Sequence, residues 1–296
     1  MYGLRAVNDQ ILPNLTVQQL EYLVAAAREP TFASAARAVG VSPSALSQGL
    51  AELERRVGVR IFRPVGRGRA LTEDADVVLR YAERVLAETG ELARWTAQRR
   101  SGHAGPLRVG MIDVAAVDHF PAALRTFRAD RPDVDLRLTV APSAALLDQL
   151  HRGSLDLVVC VVPDDDTGLT VTRLREEPLA VYAPPGTRIG RPATWGPWVT
   201  FPPDSRTRAI VAEALRRTGA RFDVVAESGQ PEVLAAMVRL GVGWSVLPVA
   251  QAQRGPEPLT PLPGEALARR TLAAVQRAGH ATTPAAQALL AGLTGT

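Results

Sequence analysis

Ser42, Pro43, Ser44, Ser47 and Gln48 are residue types that can read nucleic acid when they sit at the start of one helix. Serine hydroxyls and the free N–H groups of a first helical turn donate to phosphate oxygens, and a glutamine amide pairs in two-pronged fashion with adenine. Ser42 also fits a plainer role as the helix cap, which suits Ser47 and Gln48 less well. Arg67 lies in a glycine-rich turn that Arg63 and Arg69 flank, and Arg37 lies upstream. All four are candidates for phosphate or minor-groove contacts.

These side chains need a helix-turn-helix to aim them, and residues 31–56 read as one. A first helix is predicted over 32–39, Gly40 takes the bend, and Ser42-Pro43 restarts a helix with proline where its missing N–H costs nothing. Ala36 lets the two helices approach and Leu46 plugs the gap between them. Leu46, Leu50, Leu53 and Val57 line the buried side of the second helix, and Gly58 ends it. A preceding helix is expected over 16–28, with Thr16 and Gln19 as a capping box and Leu20, Leu23, Val24 and Ala27 on one face. Residues 59–62 and 69–71 read as two strands about a turn at 65–68, which makes a wing. Together these elements give a DNA-binding domain over 13–71.

Thr72 then reads as the cap of a long helix to about residue 100, with Glu73, Asp74 and Asp76 at its positive end. Val78, Tyr81 or Ala82, Val85, Glu88 or Thr89, Leu92, and Trp95 or Thr96 alternate at three and four residues, the spacing of a coiled-coil seam. Such a helix spans ~40 Å. Pairing with a second copy is the simplest way to cover it; packing on its own body is the alternative.

Charge agrees with this division. Residues 13–71 hold eight arginines against four glutamates, an excess that equals the net charge of +4 for all 296 residues. A basic head on a neutral body suits a DNA anchor joined to another domain. No run of about 18 apolar residues is present, so no transmembrane helix is expected. The first residues lack the apolar core of a signal peptide, and the expected location is the cytoplasm. Cys160 is the only cysteine, which excludes an internal disulfide and a cysteine-based zinc site.

After a break at 101–106 the pattern changes to strand–helix alternation. Strands are expected over 107–112, 134–140 and 155–162, with helices over 121–129 and 143–152. A second set follows: strands 179–183, 198–201, 222–226 and 244–247, and helices 205–217 and 231–240. A late strand at 269–276 and a helix at 284–293 close the chain. This order implies parallel α/β architecture in two lobes, with a ligand between them. The lobes are expected at 106–177 with 267–296, and at 178–266.

With those residues on the page, the chain resembles the LysR-type transcriptional regulators over nearly its full length. In the head the resemblance rests on Val41-Ser42, Ala45-Leu46-Ser47, Leu53-Glu54, Val57-Gly58-Val59, Ile61-Phe62, Gly66-Arg67-Gly68 and Leu71-Thr72-Glu73. Beyond it the match runs through residues 105–110, Phe127, Pro132-Asp133-Val134, residues 153–157 and Gly241-Val242-Gly243 to Leu247-Pro248. The resemblance implies a winged helix-turn-helix, a linker helix over 72–100 that dimerises, and a two-lobed effector domain over 106–296 like the periplasmic binding proteins. It also implies an imperfectly palindromic double-stranded operator, a small-molecule effector, and homodimers that assemble into homotetramers. In the family the cleft is faced by positions that here are Ile112, Asp113, Val114, Ser143, Phe201, Pro202, Ser205, Arg206 and Ser228. Pro43-Ser44, Gln48, Pro64 and Ala75 depart from residues the family often uses, and three of these changes remove or move DNA contacts.

Ser143 at a helix N-terminus suits a carboxylate. Asp113 would oppose an anion, so the ligand is neutral or basic, or Asp113 points away. Arg206 is placed to pair with an acid, or is a surface arginine. Trp244 reads as core. Asp164-Asp165-Asp166 reads as a solvated loop, and no metal or cofactor is expected. His103, His119, His151 and His280 lack the spacing of a zinc protease, and no nucleophile elbow occurs, so an enzyme on these lobes has no assembled chemistry. A solute-binding protein with an incidental extension would need a signal peptide and no Arg67 or Arg69. The expectation is an effector-responsive transcription factor, not an enzyme.

Overall fold

A computed structural model describes residues 13–65, 68–101, 106–254, 256–279 and 282–295. The chain divides into two compact units, one of residues up to 100 with 151–153, the other of residues 101–150 and 154 onward.

The first unit is built from α1 (Val17–Arg28), α2 (Phe32–Ala38), α3 (Pro43–Val57), β1 (Phe62–Val65), β2 (Gly68–Leu71) and α4 (Ala75–Ser101). Local signals start and stop its helices. Thr16 and Gln19 form a reciprocal capping box, Thr31 and Ser34 form another, and the Ser42 hydroxyl accepts from the Ala45 N–H at 3.2 Å. Gly40 bends the chain at φ +71°, in the left-handed region where a side chain is strained. Ala36 and Leu46 are fully buried in the core formed by α1, α2 and α3. Gly49 shows how close α1 and α3 come: a Cβ there would stand 2.6 Å from the ring of Tyr22.

Three expectations change here. The first wing strand starts at Phe62 rather than Val59, because the Glu54 carboxylate accepts from the N–H groups of Ile61 (2.7 Å) and Phe62 (3.1 Å) and turns the chain before the ladder begins. β1 and β2 then pair antiparallel, Phe62 opposite Leu71. Thr72 does not cap α4. Its hydroxyl donates to the Arg60 carbonyl at 2.6 Å, and the helix begins at Ala75. The third change concerns the seam. Val78, Ala82 and Val85 pack into the head's own core with Leu79 and Leu86. Among the described side chains of α4, the large apolar residues left exposed are Val77, Tyr81 and Leu92.

The second unit begins with β3 (Pro106–Met111), a five-residue π-helix (Ala115–His119), α5 (Pro121–Asp130), β4 (Asp135–Val140), α6 (Ser143–His151) and β5 (Leu157–Val161). It continues with β6 (Leu169–Tyr182), β7 (Trp198–Thr200), α7 (Arg206–Thr218), β8 (Val224–Glu227), α8 (Pro231–Arg239), β9 (Ser245–Pro248), α9 (Val249–Ala252), β10 (Ala268–Arg277) and α10 (Pro284–Thr294). The main sheet has the order β4-β3-β5-β10-β6-β9, and β7 pairs with β8 in a small parallel sheet. β3 is parallel to β4 and β5, whereas β10 runs antiparallel to β5 and β6.

Separate cores mark two lobes. Leu107, Val109, Val158, Cys160, Leu272 and Leu289 belong to the first. The second holds two clusters, one around Tyr182, Val199, Leu234 and Leu247, the other around Leu179, Trp198, Val211 and Trp244. Trp244 is core, as expected, and stacks on Trp195 at 5.7 Å. The strand expected over 179–183 is the end of β6, which is 14 residues long. Its first part exposes Thr170, Arg173, Arg175 and Glu176, so it lacks a continuous apolar run. β6 and β10 pair from Leu169↔Arg277 to Leu179↔Ala268 and carry the chain between the lobes.

Candidate functional site

In the first unit the candidate surface is the outer side of α3. Leu46, Leu50 and Leu53 are buried, which turns Ser44, Ser47 and Gln48 to solvent. Pro43 is exposed at the first helical position. Ser42 caps the helix and its hydroxyl lies 3.0 Å from that of Ser44. Arg37 and Arg63 are exposed and form no ion pair among the described residues. Arg67 lies outside the described residues.

Arg69 departs from its expected role. Its guanidinium donates to the carbonyls of Ala26 (2.6 Å) and Glu29 (3.3 Å) at the C-terminal end of α1, and lies 3.7 Å over the Phe32 ring. Burial pushes this guanidinium below its ordinary range. Arg69 therefore ties the wing to α1 instead of facing phosphate. Other arginines of the basic head are also engaged. Arg28 pairs with Glu83 at 2.9 Å, and Arg55 and Arg56 both hold Glu52. Hydrogen bonds from Arg55 and then Arg56 bring the Glu52 carboxyl down to about 2.

In the second unit a cavity of about 910 Å³ opens between the lobes. All nine cleft residues named from the sequence line it: Ile112, Asp113 and Val114 after β3, Ser143 opening α6, Phe201 and Pro202 after β7, Ser205 and Arg206 opening α7, and Ser228 after β8. They meet there because β3, β7 and β8 end at the cleft and the first residues of α6, α7 and α8 border it, the usual crevice beyond the carboxyl ends of parallel strands. The Ser143 hydroxyl accepts from the Val161 N–H at 3.4 Å, and that of Ser228 from the Gln230 N–H at 3.1 Å. Ser205 makes no side-chain cap bond. Arg206 pairs with Asp164 at 2.7 Å, so the acidic loop after β5 is not merely solvated, and the Arg206 Nε is buried with no hydrogen-bond partner among the described residues.

Asp113 does not point away. It accepts from Arg254 Nη1 at 2.8 Å and from Gln251 Nε2 at 3.2 Å. Arg254 also holds Asp118 and Glu232. Burial would lower the Arg254 guanidinium, but Asp118 and Asp113 outweigh it and hold it above its ordinary range. At the cavity wall, Arg270 donates to Glu177 (2.7 Å), Thr207 (2.8 Å) and Gln251 (3.5 Å), and Glu177 also meets His119 at 3.0 Å. Burial pushes the Arg270 guanidinium down and Glu177 opposes that. Sequence reasoning missed Arg254, Glu232, Gln251, Arg270 and Glu177. Arg270 carried a signal, as a charge inside the expected strand two residues before the apolar run of β10 begins at Leu272. Arg254 carried none, since 141 residues separate it from Asp113.

Among the described residues no group of three or more His, Cys, Asp or Glu is placed to hold a metal ion, and no helix is long and apolar enough to cross a membrane. Burial pushes the Cys160 thiol up to about 12.

Comparison with known proteins gives two family matches: "Bacterial regulatory helix-turn-helix protein, lysR family" over residues 17–76, and "LysR substrate binding domain" over 100–295. The HTH-type transcriptional regulator DgdR of Burkholderia cepacia is 30% identical, over 79% of this chain and 78% of its own. The uncharacterized HTH-type transcriptional regulator YfeR of Shigella flexneri is 27% identical, over 93% of this chain and 92% of its own. Among solved structures, full-length CbnR in complex with its target DNA is 17% identical, covers 94% of this chain and 99% of that one, and superposes with a TM-score of 0.61.

Proposed function

Because the chain belongs to the LysR family of bacterial transcriptional regulators, with a DNA-binding helix-turn-helix and an effector-binding domain, we propose that α3 reads its operator through Ser44, Ser47 and Gln48. The observation that carries this reading is the polarity of α3. Its apolar face is spent on the head's core, while Ser47 and Gln48 face solvent with no protein partner among the described residues. The capped N-terminus with Ser42, Pro43 and Ser44 suits a phosphate, and Arg37 and Arg63 supply free positive charge for the backbone. The small-molecule effector occupies the cavity bordered by Asp113, Ser143, Ser205, Arg206 and Ser228, and its binding changes how the head engages DNA.

The protein acts as a regulator in the cytoplasm and not as an enzyme. In support, the charged groups around the cavity pair with one another, Arg270 with Glu177 and Arg254 with Asp113, rather than setting a base beside a nucleophile. The buried Cys160 offers no reactive thiolate. The partner copy in a homodimer, and in the tetramer built from it, covers the exposed Val77, Tyr81 and Leu92 stripe of α4.

The test is Gln48→Ala, with binding of the full-length protein to an operator and to a scrambled duplex measured by fluorescence anisotropy. Loss of ~1–3 kcal/mol of discrimination between the two is the expected result. Unchanged discrimination removes Gln48 from base reading.

A further inference from the structure

The cavity of the second unit has an acidic end that its own chain leaves short of positive charge. Arg254 faces three carboxylates: Asp113 at 2.8 Å, Asp118, and Glu232 at 2.5 Å. The cluster therefore keeps two formal negative charges in excess. Asp113 and Glu232 line the cavity, and Arg254 is set behind them. Both carboxylates reach the same nitrogen, Arg254 Nη1, so a cation arriving from the cavity has the two of them within reach at once. One comes from the loop after β3 and the other from the first turn of α8, which belong to opposite lobes.

The rest of the lining does not reverse this balance. Asp204 adds a further exposed acid. The two arginines that line the cavity are already met by carboxylates, Arg206 by Asp164 and Arg270 by Glu177. An anion entering at Asp113 would face uncompensated like charge in a half-enclosed site, where water screens poorly, whereas a cation gains from two carboxylates within contact distance.

We propose that the effector carries a cationic nitrogen, an ammonium or guanidinium group, seated between Asp113 and Glu232; this rests on the reading that the effector occupies this cleft. The nitrogen joins acids from both lobes, so its arrival ties the lobes together at the point where Arg254 and Gln251 of the second lobe already reach Asp113 of the first.

The test uses the full-length protein and a panel of nitrogen-bearing probes, namely putrescine, agmatine, L-arginine and L-leucine. Succinate and 4-methylpentanoate serve as counterparts without a cationic nitrogen. Thermal shift finds binders and calorimetry gives their affinities. At least one nitrogen-bearing probe is expected to bind, with the nitrogen-free acids weaker by roughly ten-fold or more. Glu232→Gln, at an exposed position, should reduce that affinity by a similar factor without changing the melting temperature of the free protein, and Asp113→Asn should do the same to affinity. The proposal is overturned if no nitrogen-bearing probe binds, or if the acids bind as well and neither variant weakens anything. Ser228→Trp, which fills the cavity, separates this from the cleft reading. Acid binding that Ser228→Trp abolishes keeps the cleft and removes the cationic effector. Amine binding that survives Ser228→Trp removes both.

Discussion

Arg63 and Arg69 lie on opposite strands of one wing, yet their surroundings assign them different work. Arg63 is exposed and forms no ion pair among the described residues, and Arg63→Ala should weaken binding to all DNA and reduce the salt slope of binding by about one unit. Arg69→Ala should leave that slope alone and instead lower the stability of the head by about 2 kcal/mol, from a lost ring contact and two lost carbonyl bonds. Salt titration of nonspecific binding and denaturant unfolding separate the two outcomes. Arg270 makes a parallel case in the second unit. With Arg270 and Glu177 both buried, Arg270→Leu leaves a carboxylate without its strongest partner and should cost about 3 kcal/mol or more. The double change Arg270→Leu with Glu177→Leu should cost less than the two single changes combined, in unfolding of the full-length protein. Additive losses would show that the pair does not act as a unit.

At the scale of elements, what was legible in the sequence was whatever depends on near neighbours. Thr16 with Gln19, Ser42 with Pro43, and Gly40 each mark a helix boundary through contacts within four residues, and the structure keeps all of them. The nine cleft residues were legible only through the resemblance to the LysR family, whose cleft positions fall on strand ends and helix starts that the fold gathers on one side. What escaped depends on a distant partner. Thr72 has the right type for a cap, but the Arg60 carbonyl takes its hydroxyl. Arg69 looks like a phosphate contact until α1 offers its carbonyls. The first part of β6 alternates around charges because its partner is β10, a hundred residues on. The α4 seam was legible as an apolar stripe, but not which body would cover it. The core of the head takes Val78, Ala82 and Val85, so we assign self-association to the exposed Val77, Tyr81 and Leu92. Tyr81→Asp and Leu92→Asp should therefore yield smaller assemblies of folded protein in light scattering, whereas Val85→Asp should unfold the head. A Leu92→Asp, Tyr81→Asp double variant of unchanged mass would place the interface elsewhere.

At the scale of the whole molecule, one unit holds the basic surface and the other the ligand cavity. The chain's net charge of +4 equals the excess in the head, but charge alone would not single out an operator, because several of those arginines are spent on Glu52, Glu83 and the end of α1. We therefore assign sequence preference to the exposed polar residues of α3, supported by the arginines that form no ion pair among the described residues. The measurement that tests this most directly is enrichment of the full-length protein's ligands from a pool of random-sequence duplex DNA, run in parallel for the wild type and Gln48→Ala. The prediction is a defined motif with two related half-sites for the wild type, and a relaxed base preference within each half-site for the variant. A wild-type pool that stays random after repeated selection, or an identical motif from both proteins, would contradict it.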